Sequence, residues 1–338
     1  MGWLVKSLLA LIGLAALVVV GGYFVLKRDD IPYETLEAQY ASPASQYVDL
    51  PSGVRMHYRD QGQGPTILLI HGFTASLHTW EPWVERLATG DNRINDYRIV
   101  SIDLPGHGLT RAPAGYQASI EAYRDVVAEF VAARQLTQFA LAGSSMGGNV
   151  AWEYALAHPE QVQALILVDA GGWPDTRPEA TRESPTYKAL RNPTIGPIVM
   201  QLDNSRLLRE GLRDAFYDPA LADDAMIERY SNLARAPGHR DIIRQMLVGF
   251  RTRNMATPER LAPLRMPVLV MTGDTDRLVP PEHAQQFHQA IAGSQIVVFE
   301  QTGHIPQEEK ADQSATAVHE FMYQIIEGSA LAPEPVAN

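Results

Sequence analysis

Short apolar runs rich in β-branched residues alternate with amphipathic helical stretches along most of this chain, and this alternation limits the fold more than any other feature. Such runs suit strands that are buried on both faces, as in a parallel sheet between layers of helices. A Pro-Ser-Gly turn between the first two runs predicts an edge hairpin. The predicted strands are residues 46–50, 54–59, 66–70, 97–104, 138–142, 164–169, 267–272 and 295–299. The predicted helices between them are residues 80–88, 119–136, 146–158, 281–291 and 311–327.

One long interval breaks this alternation. Residues 173–263 lack strand-like runs and contain several helical stretches, which predicts a helical cap inserted into the α/β core. The core is then divided into a first part, 46–172, and a second part, 264–328. Residues 29–45, with Pro32 and Pro43, are predicted to be a linker, and the Ala/Pro-rich stretch 329–338 a disordered tail.

The amino-terminal segment is strongly apolar. Residues 7–26 carry no charge, and as a helix they would rise about 30 Å, which matches the hydrocarbon core of a bilayer. Lys6 precedes this run, and Lys27 and Arg28 follow it. We therefore expect residues 1–28 to be an uncleaved transmembrane anchor that makes the membrane a partner. The alternatives are a cleaved signal peptide and a soluble helix.

The flanking charges are nearly balanced, so they decide the orientation of such an anchor only weakly. A short apolar segment ahead of a large domain is typical of a signal anchor, which keeps the amino end in the cytoplasm. We therefore expect the folded domain on the exported, periplasmic side of the membrane.

The formal net charge of −11 argues against a nucleic-acid-binding protein, because such proteins are usually basic. The chain has no cysteine, which excludes disulfides, thiol nucleophiles and zinc sites built on thiolates. The sequence leaves the oligomeric state open.

The stretch from Gly143 to Gly147 has the pattern Gly-x-Ser-x-Gly between a predicted strand and a predicted helix. This is the context of a nucleophile elbow, in which the central serine stands on a strained turn. The pattern therefore predicts Ser145 as a nucleophile and the backbone N–H of Met146 as a donor to an oxyanion. Ser144 is the competing hydroxyl, but it is out of register with the two glycines.

A serine nucleophile needs a base, and the base needs an acid that orients it. His304 follows the last predicted strand, so it is the predicted base. Asp274 and Asp276 both follow the preceding strand, and either could serve as the acid, with Asp276 better placed. Three other histidines are expected at the surface or at helix caps: His57, His78 and His158.

These motifs occur in the order Ser, Asp, His, with His71-Gly72 after an early strand and Asp103–Gly108 after the next. Over residues 46–327 the chain resembles the α/β-hydrolase family. The resemblance implies a mostly parallel eight-stranded sheet with helices on both faces and a cap inserted after the sixth strand. It also implies that the N–H of Phe73 is a second oxyanion donor beside that of Met146. Asp103 and His107 are expected to pin loops.

The expected activity is hydrolysis of carboxylic esters through an acyl-enzyme on Ser145, with no metal or organic cofactor and a small-molecule ester as substrate. We expect a subset of the apolar cap residues to line an apolar acyl pocket for short to medium chains. The candidates are Trp173, Met200, Leu207, Leu208, Phe216, Met246, Leu247 and Phe250. One alternative is a C–C bond hydrolase acting on ring-fission diketone products. The cap resembles those enzymes, but they usually carry Asn where this chain has Ser144. Further alternatives are a perhydrolase and a non-enzymatic ligand-binding protein on the same fold.

Overall fold

A computed structural model describes residues 2–89, 97–175, 185–249 and 255–330. Within these residues one sheet of eight strands forms the centre of the molecule. Its order is β1-β2-β4-β3-β5-β6-β7-β8. The strands are β1 (Ser45–Asp49), β2 (Arg55–Gly62), β3 (Thr66–Ile70), β4 (Arg98–Ile102), β5 (Phe139–Ser144), β6 (Val162–Val168), β7 (Val268–Gly273) and β8 (Gln295–Phe299).

The hairpin of β1 and β2 is antiparallel, and β2 pairs antiparallel with β4. Every other pairing is parallel, from β4 and β3 through to β7 and β8. The predicted mostly parallel eight-stranded sheet is therefore confirmed. Parallel strands bring their carboxyl ends to one edge, which is where α/β folds place their ligands.

Helices cover both faces of the sheet. One face packs against Phe130, Trp152 and Phe287, and the other packs against Trp83 and Phe321. The α-helices are α1 (Trp3–Leu26), α2 (Tyr33–Tyr40), α3 (Glu81–Val84), α4 (Ile120–Ala133), α5 (Met146–Ala157), α6 (Pro185–Arg191), α7 (Ile195–Met200), α8 (Ser205–Ala215), α9 (Asp224–Leu233), α10 (His239–Gly249), α11 (Pro258–Leu261), α12 (Glu282–Ala290), α13 (Pro306–Glu309) and α14 (Ala311–Ala330). Shorter turns of other helix types are Leu77–Trp80, Glu85–Thr89 and Pro219–Leu221.

Helices α6 to α11 all lie between β6 and β7, where the sequence predicts the cap. This insertion contacts the core closely. Ile242 of α10 lies so near Gly106 that a Cβ on the glycine would be 2.3 Å from Ile242 Cγ2. The carbonyl of Ala215, at the end of α8, accepts a hydrogen bond from the backbone N–H of His304 (2.6 Å). The cap therefore helps to place the loop that follows β8.

The amino-terminal helix forms over Trp3–Leu26, but none of the helices in the described part of the chain has the length and apolarity needed to cross a membrane. The carboxyl end of α1 is bound to the cap by polar contacts. Tyr23 Oη donates to Gln201 Oε1 (2.7 Å), and the N–H of Asp203 donates to the carbonyl of Leu26 (2.8 Å). The predicted transmembrane helix over residues 1–28 is therefore wrong, and so are the membrane partner and the exported location that depended on it.

Two smaller expectations differ from the structure. The predicted linker 29–45 contains α2, whose Leu36 is fully buried against Leu109 and Leu233. Of the predicted tail 329–338, the first two residues still belong to α14, and residues 331–338 lie outside the described residues.

Candidate active site

Ser145 stands on the tight turn between β5 and α5. Its φ of 55° and ψ of −116° lie in a region that non-glycine residues rarely adopt, which costs on the order of 1–3 kcal/mol. Backbone hydrogen bonds hold it there: its N–H donates to Val168 (2.9 Å), and its carbonyl accepts from Asn149 (3.2 Å) and Gly171 (2.9 Å). The strand-to-helix context that the Gly-x-Ser-x-Gly pattern requires is thus present.

The two glycines of this pattern are needed because the chain approaches itself closely. A Cβ on Gly143 would lie 2.2 Å from the carbonyl oxygen of Gly147. A Cβ on Gly147 would lie 2.2 Å from the carbonyl oxygen of Ile70. Because both obstructing atoms are backbone oxygens, a side chain at Gly143 or Gly147 could not be accommodated by a change of a neighbouring rotamer. The strain at Ser145 is therefore supported by close packing on both sides of the turn.

His304 lies in the loop after β8 and is almost fully buried. Its Nδ1 is 2.6 Å from Oδ2 of Asp276, and Oδ1 of Asp276 accepts from the N–H groups of Leu278 (2.7 Å) and Val279 (3.0 Å). A carboxylate beside Nδ1 favours the tautomer that carries its proton there and leaves Nε2 as an acceptor. Asp274, the alternative acid, accepts instead from the N–H of Thr302 (3.2 Å).

Ser145 and His304 line one cavity of about 1110 Å³, which Phe73 and Met146 also line. The loop at Gly72 abuts Ser145, because a Cβ on this glycine would be 3.2 Å from the Cβ of Ser145. The N–H of Met146 belongs to the first turn of the 12-residue helix α5, where the helix dipole favours negative charge. This arrangement suits a reaction in which negative charge develops near Ser145.

The remaining lining of this cavity is mostly apolar. Four of the cap residues that the sequence singled out lie on it: Trp173, Leu207, Leu208 and Leu247. Leu212 and Met255 add to this surface. Met200, Phe216 and Met246 are absent from the lining, and Phe250 lies outside the described residues.

Ser144, the competing hydroxyl, is buried with 1% exposure. Its Oγ accepts a hydrogen bond from Nε2 of Gln307 (3.4 Å), and that amide also donates to Oγ1 of Thr79 (3.0 Å). Sequence reasoning missed Gln307, which lines the cavity three residues after His304. Proximity to His304 was the only signal that could have pointed to it.

Asp103 connects several loops, as expected. Its carboxylate accepts from the N–H groups of Leu77 (2.7 Å) and Leu109 (2.9 Å) and lies 2.7 Å from Nδ1 of His57. Although burial opposes ionisation, the hydrogen bond and charge of His57 hold the pKa of Asp103 well below its usual value. Burial lowers the pKa of His107 well below its usual value, so this ring is neutral inside the loop.

The expectation for two other histidines was wrong. His57 is fully buried and His78 is 8% exposed, whereas His158 caps the carboxyl end of α5 as expected. The second ring nitrogen of His57 lies 2.8 Å from Oγ of Ser45. Ser45, His57 and Asp103 thus form a hydrogen-bonded Ser, His and Asp array, and none of the three lines the cavity.

A further acid lies beside the His304 pair and was not predicted. Asp169 follows β6, and its carboxyl group lies near the side chains of Asp276 and His304. One carboxylate oxygen of each Asp and one ring nitrogen of His304 all lie within 4.8 Å of one another. These three residues offer ligand atoms of the kind that hold metal ions, but Asp276 and His304 are hydrogen-bonded to each other. The signal in the sequence was an acid at the carboxyl end of a buried strand next to β7.

A family model described as "alpha/beta hydrolase fold" matches residues 65–311, well over half of the 338 residues. The chain belongs to the α/β-hydrolase fold family. The 2-hydroxymuconate semialdehyde hydrolase of Pseudomonas sp. strain CF600 is 27% identical, and the alignment covers 81% of this chain and 92% of that protein. Lipase 1 of Psychrobacter immobilis is also 27% identical, over 79% of this chain and 80% of the lipase.

Among solved structures, one described as a membrane phospholipase A, a bacterial virulence factor, superposes with a TM-score of 0.69 at 26% identity. It covers 96% of this chain and 99% of its own. The α/β-hydrolase assignment agrees with the resemblance inferred from the motifs. The relatives' names include a lipase, a phospholipase A and a 2-hydroxymuconate semialdehyde hydrolase, so the family alone does not decide which reaction this chain catalyses.

Proposed function

We propose that this α/β-hydrolase cleaves carboxylic esters through an acyl-enzyme on Ser145. The observation that carries the proposal is that Ser145, on its strained turn, lines the same cavity as His304. Nδ1 of His304 is hydrogen-bonded to Asp276. A strained serine that lines a cavity, an imidazole whose Nε2 can accept a proton and a carboxylate on its Nδ1 are the three parts that serine hydrolysis requires.

In the proposed reaction, Oγ of Ser145 attacks the acyl carbonyl and its proton passes to Nε2 of His304. The N–H groups of Met146 and Phe73 stabilise the oxyanion, each worth on the order of 3 kcal/mol. His304 then gives its proton to the leaving alcohol as the C–O bond breaks. A water molecule, deprotonated by the same imidazole, attacks the acyl group and releases the acid and free Ser145.

The proposed substrate is an ester with an apolar acyl group of short to medium length. Leucines of α8 and Trp173 on the cavity wall support an apolar acyl site. The cavity volume of about 1110 Å³ lies slightly above the roughly 300–1,000 Å³ usual for small-molecule pockets. The names of the lipase and phospholipase relatives also favour esters.

A second candidate is hydrolysis of a C–C bond in a ring-fission diketone acid. The relative named 2-hydroxymuconate semialdehyde hydrolase supports it, as does Arg277 on the cavity lining, since a cation there suits a substrate carboxylate. Ser144 in place of the Asn usual in such enzymes opposes it.

The test is a substrate panel on the full chain: p-nitrophenyl esters from acetyl to palmitoyl against a vinylogous diketone acid. We expect kcat/KM for the best ester to exceed that for the diketone acid, and Ser145→Ala to abolish turnover. Peptide mass spectrometry after treatment with a fluorophosphonate should place the adduct on Ser145. A preference for the diketone acid would transfer the proposal to C–C hydrolysis, and an adduct elsewhere would reject the nucleophile.

A further inference from the structure

Asp169 is a second buried carboxyl behind the proposed site. It follows β6, is 2% exposed and has a φ of 43°, so the chain accepts strain to hold it there. Its Oδ1 accepts from Oγ1 of Thr272 (2.7 Å) and from the N–H of Gly273 (3.2 Å). Its Oδ2 is buried and receives no N–H or O–H donor from the described residues.

The neighbouring Asp276 has the opposite environment. Both of its oxygens are occupied by donors, namely two backbone N–H groups on Oδ1 and the imidazole of His304 on Oδ2. Ligand atoms of Asp169, Asp276 and His304 lie within 4.8 Å of one another. Two carboxyl groups this close in a buried site do not both ionise, because their charges repel each other without water to screen them.

The donors decide which carboxyl keeps the proton. Three donors stabilise a negative charge on Asp276, whereas one oxygen of Asp169 has none. A proton on that oxygen satisfies it and turns it into a donor. Burial, and next to it the charge of Asp276, raises the pKa of Asp169 well above its ordinary value, which agrees with this choice.

We propose that Asp169 is a neutral carboxylic acid whose Oδ2–H donates a hydrogen bond to Asp276 and so positions Asp276 as the anionic partner of His304. Asp169 is a positioning residue, since it acts on His304 only through Asp276. Its effect on turnover rests on the function proposed above, but its protonation does not.

Difference infrared spectroscopy tests the protonation directly. The spectrum of the wild type minus that of Asp169→Asn at neutral pH should contain the C=O stretching band of a protonated carboxylic acid. Other buried acids cancel in this difference, because they are present in both proteins. A difference spectrum with carboxylate bands alone would overturn the proposal, whatever the enzyme turns out to hydrolyse.

Kinetics of two variants test the positioning. In Asp169→Asn the amide oxygen keeps the bonds from Thr272 and Gly273 while the amide N–H replaces the O–H, so kcat should stay within about threefold of wild type. Asp169→Ala removes the proposed hydrogen bond to the charged carboxylate of Asp276. Loss of a hydrogen bond to a charged group corresponds to a roughly 10- to 100-fold lower kcat, and KM should change little. Circular dichroism and thermal melting check that both variants fold. Equal damage in both variants, or a normal kcat in Asp169→Ala, would contradict the positioning role.

Discussion

Two buried His–Asp pairs in this molecule have nearly the same geometry and different surroundings. Nδ1 of His304 is 2.6 Å from Asp276, and Nδ1 of His57 is 2.7 Å from Asp103. His57 even has a serine hydroxyl on its second nitrogen, Ser45 Oγ at 2.8 Å. Among the described residues no hydrogen bond joins Ser145 to His304, so by hydrogen bonds alone the His57 array is the more complete of the two.

The difference lies in what surrounds each serine. Ser45 begins the edge strand β1, and its hydroxyl also accepts from the N–H of Ser42 (3.0 Å), so it is fixed within a turn. Neither Ser45 nor His57 lines the cavity that holds Ser145. Ser145 adds a strained turn and the amino end of α5. A hydrogen-bonded Ser, His and Asp therefore do not define a site unless a cavity and oxyanion donors accompany them.

The largest expected effect separates the two serines. Ser145→Ala should lower kcat by about 10⁵-fold or more, because the nucleophile acts together with its base and acid. Ser45→Ala should leave kcat within about twofold, since its hydroxyl faces no substrate cavity. Both are measured by initial rates on the best ester of the panel. A comparable loss of kcat in Ser45→Ala would show that the proposed assignment of the nucleophile to Ser145 is wrong.

The next effect concerns the two acids that the sequence left open. Asp276→Asn should lower kcat by about 10⁴-fold, because the amide favours the wrong tautomer of His304. Asp274→Asn is the matched control and should stay within about threefold, as its carboxylate bonds to the N–H of Thr302 instead. If Asp274→Asn were the more damaging change, the assignment of the acid would have to be exchanged.

A substitution in the His57 array should lower the stability of the protein and leave its kcat unchanged. His57→Ala leaves the buried carboxylate of Asp103 without its counter-group, and we expect a loss of about 3 kcal/mol in the free energy of unfolding. The kcat of the folded fraction should be near that of wild type. Urea unfolding and ester kinetics on one preparation measure both quantities. A variant with normal stability and reduced kcat would remove the distinction between the two pairs.

The comparison also explains which features the sequence alone could predict. Ser145 was predictable because its signal is local: two glycines and a strand-to-helix change within a few residues. The burial of His57 was not, since it depends on the pairing of β2 with β4 and on Asp103, 46 residues further along the chain. Its position in an edge hairpin, which often exposes alternate residues, pointed to the surface.

Asp169 was missed, and the role of the amino-terminal helix was wrongly predicted, for related reasons. Asp169 reads locally as the polar end of a core strand, and only the pairing of β6 with β7 brings it near Asp276. The run of apolar residues at the amino end predicted a helix correctly, but apolarity counted along the chain did not reveal the hydrogen bonds that tie its end to residues 201–203. Local patterns predict elements, whereas contacts between distant elements decide their roles.

The smallest expected effect is a difference in pH response between the two regions. Near His304, Glu308 accepts from Oγ1 of Thr79 (2.5 Å), and burial raises its pKa to about 7. Near His57, the pKa of Asp103 is lowered, so that carboxylate keeps its charge over the same range. Glu308, unlike Asp103, should therefore lower the stability of the fold when the pH rises from about 5 to 8.

The sign follows from the protons bound in each state. Between the ordinary pKa of Glu and about 7, folded Glu308 keeps a proton that the unfolded chain has released, so stability falls as pH rises through this window. We expect Glu308 to contribute about 1–2 kcal/mol to this fall, less than the full shift implies because the side chain is half-buried. The raised pKa of Asp169 adds to the fall in the wild type and in the variant alike. Glu308→Gln keeps an oxygen for Thr79 but cannot ionise, so its stability should vary less with pH. Urea unfolding of both proteins across this pH range measures the difference, and parallel curves would mean that Glu308 does not hold its proton in the folded state.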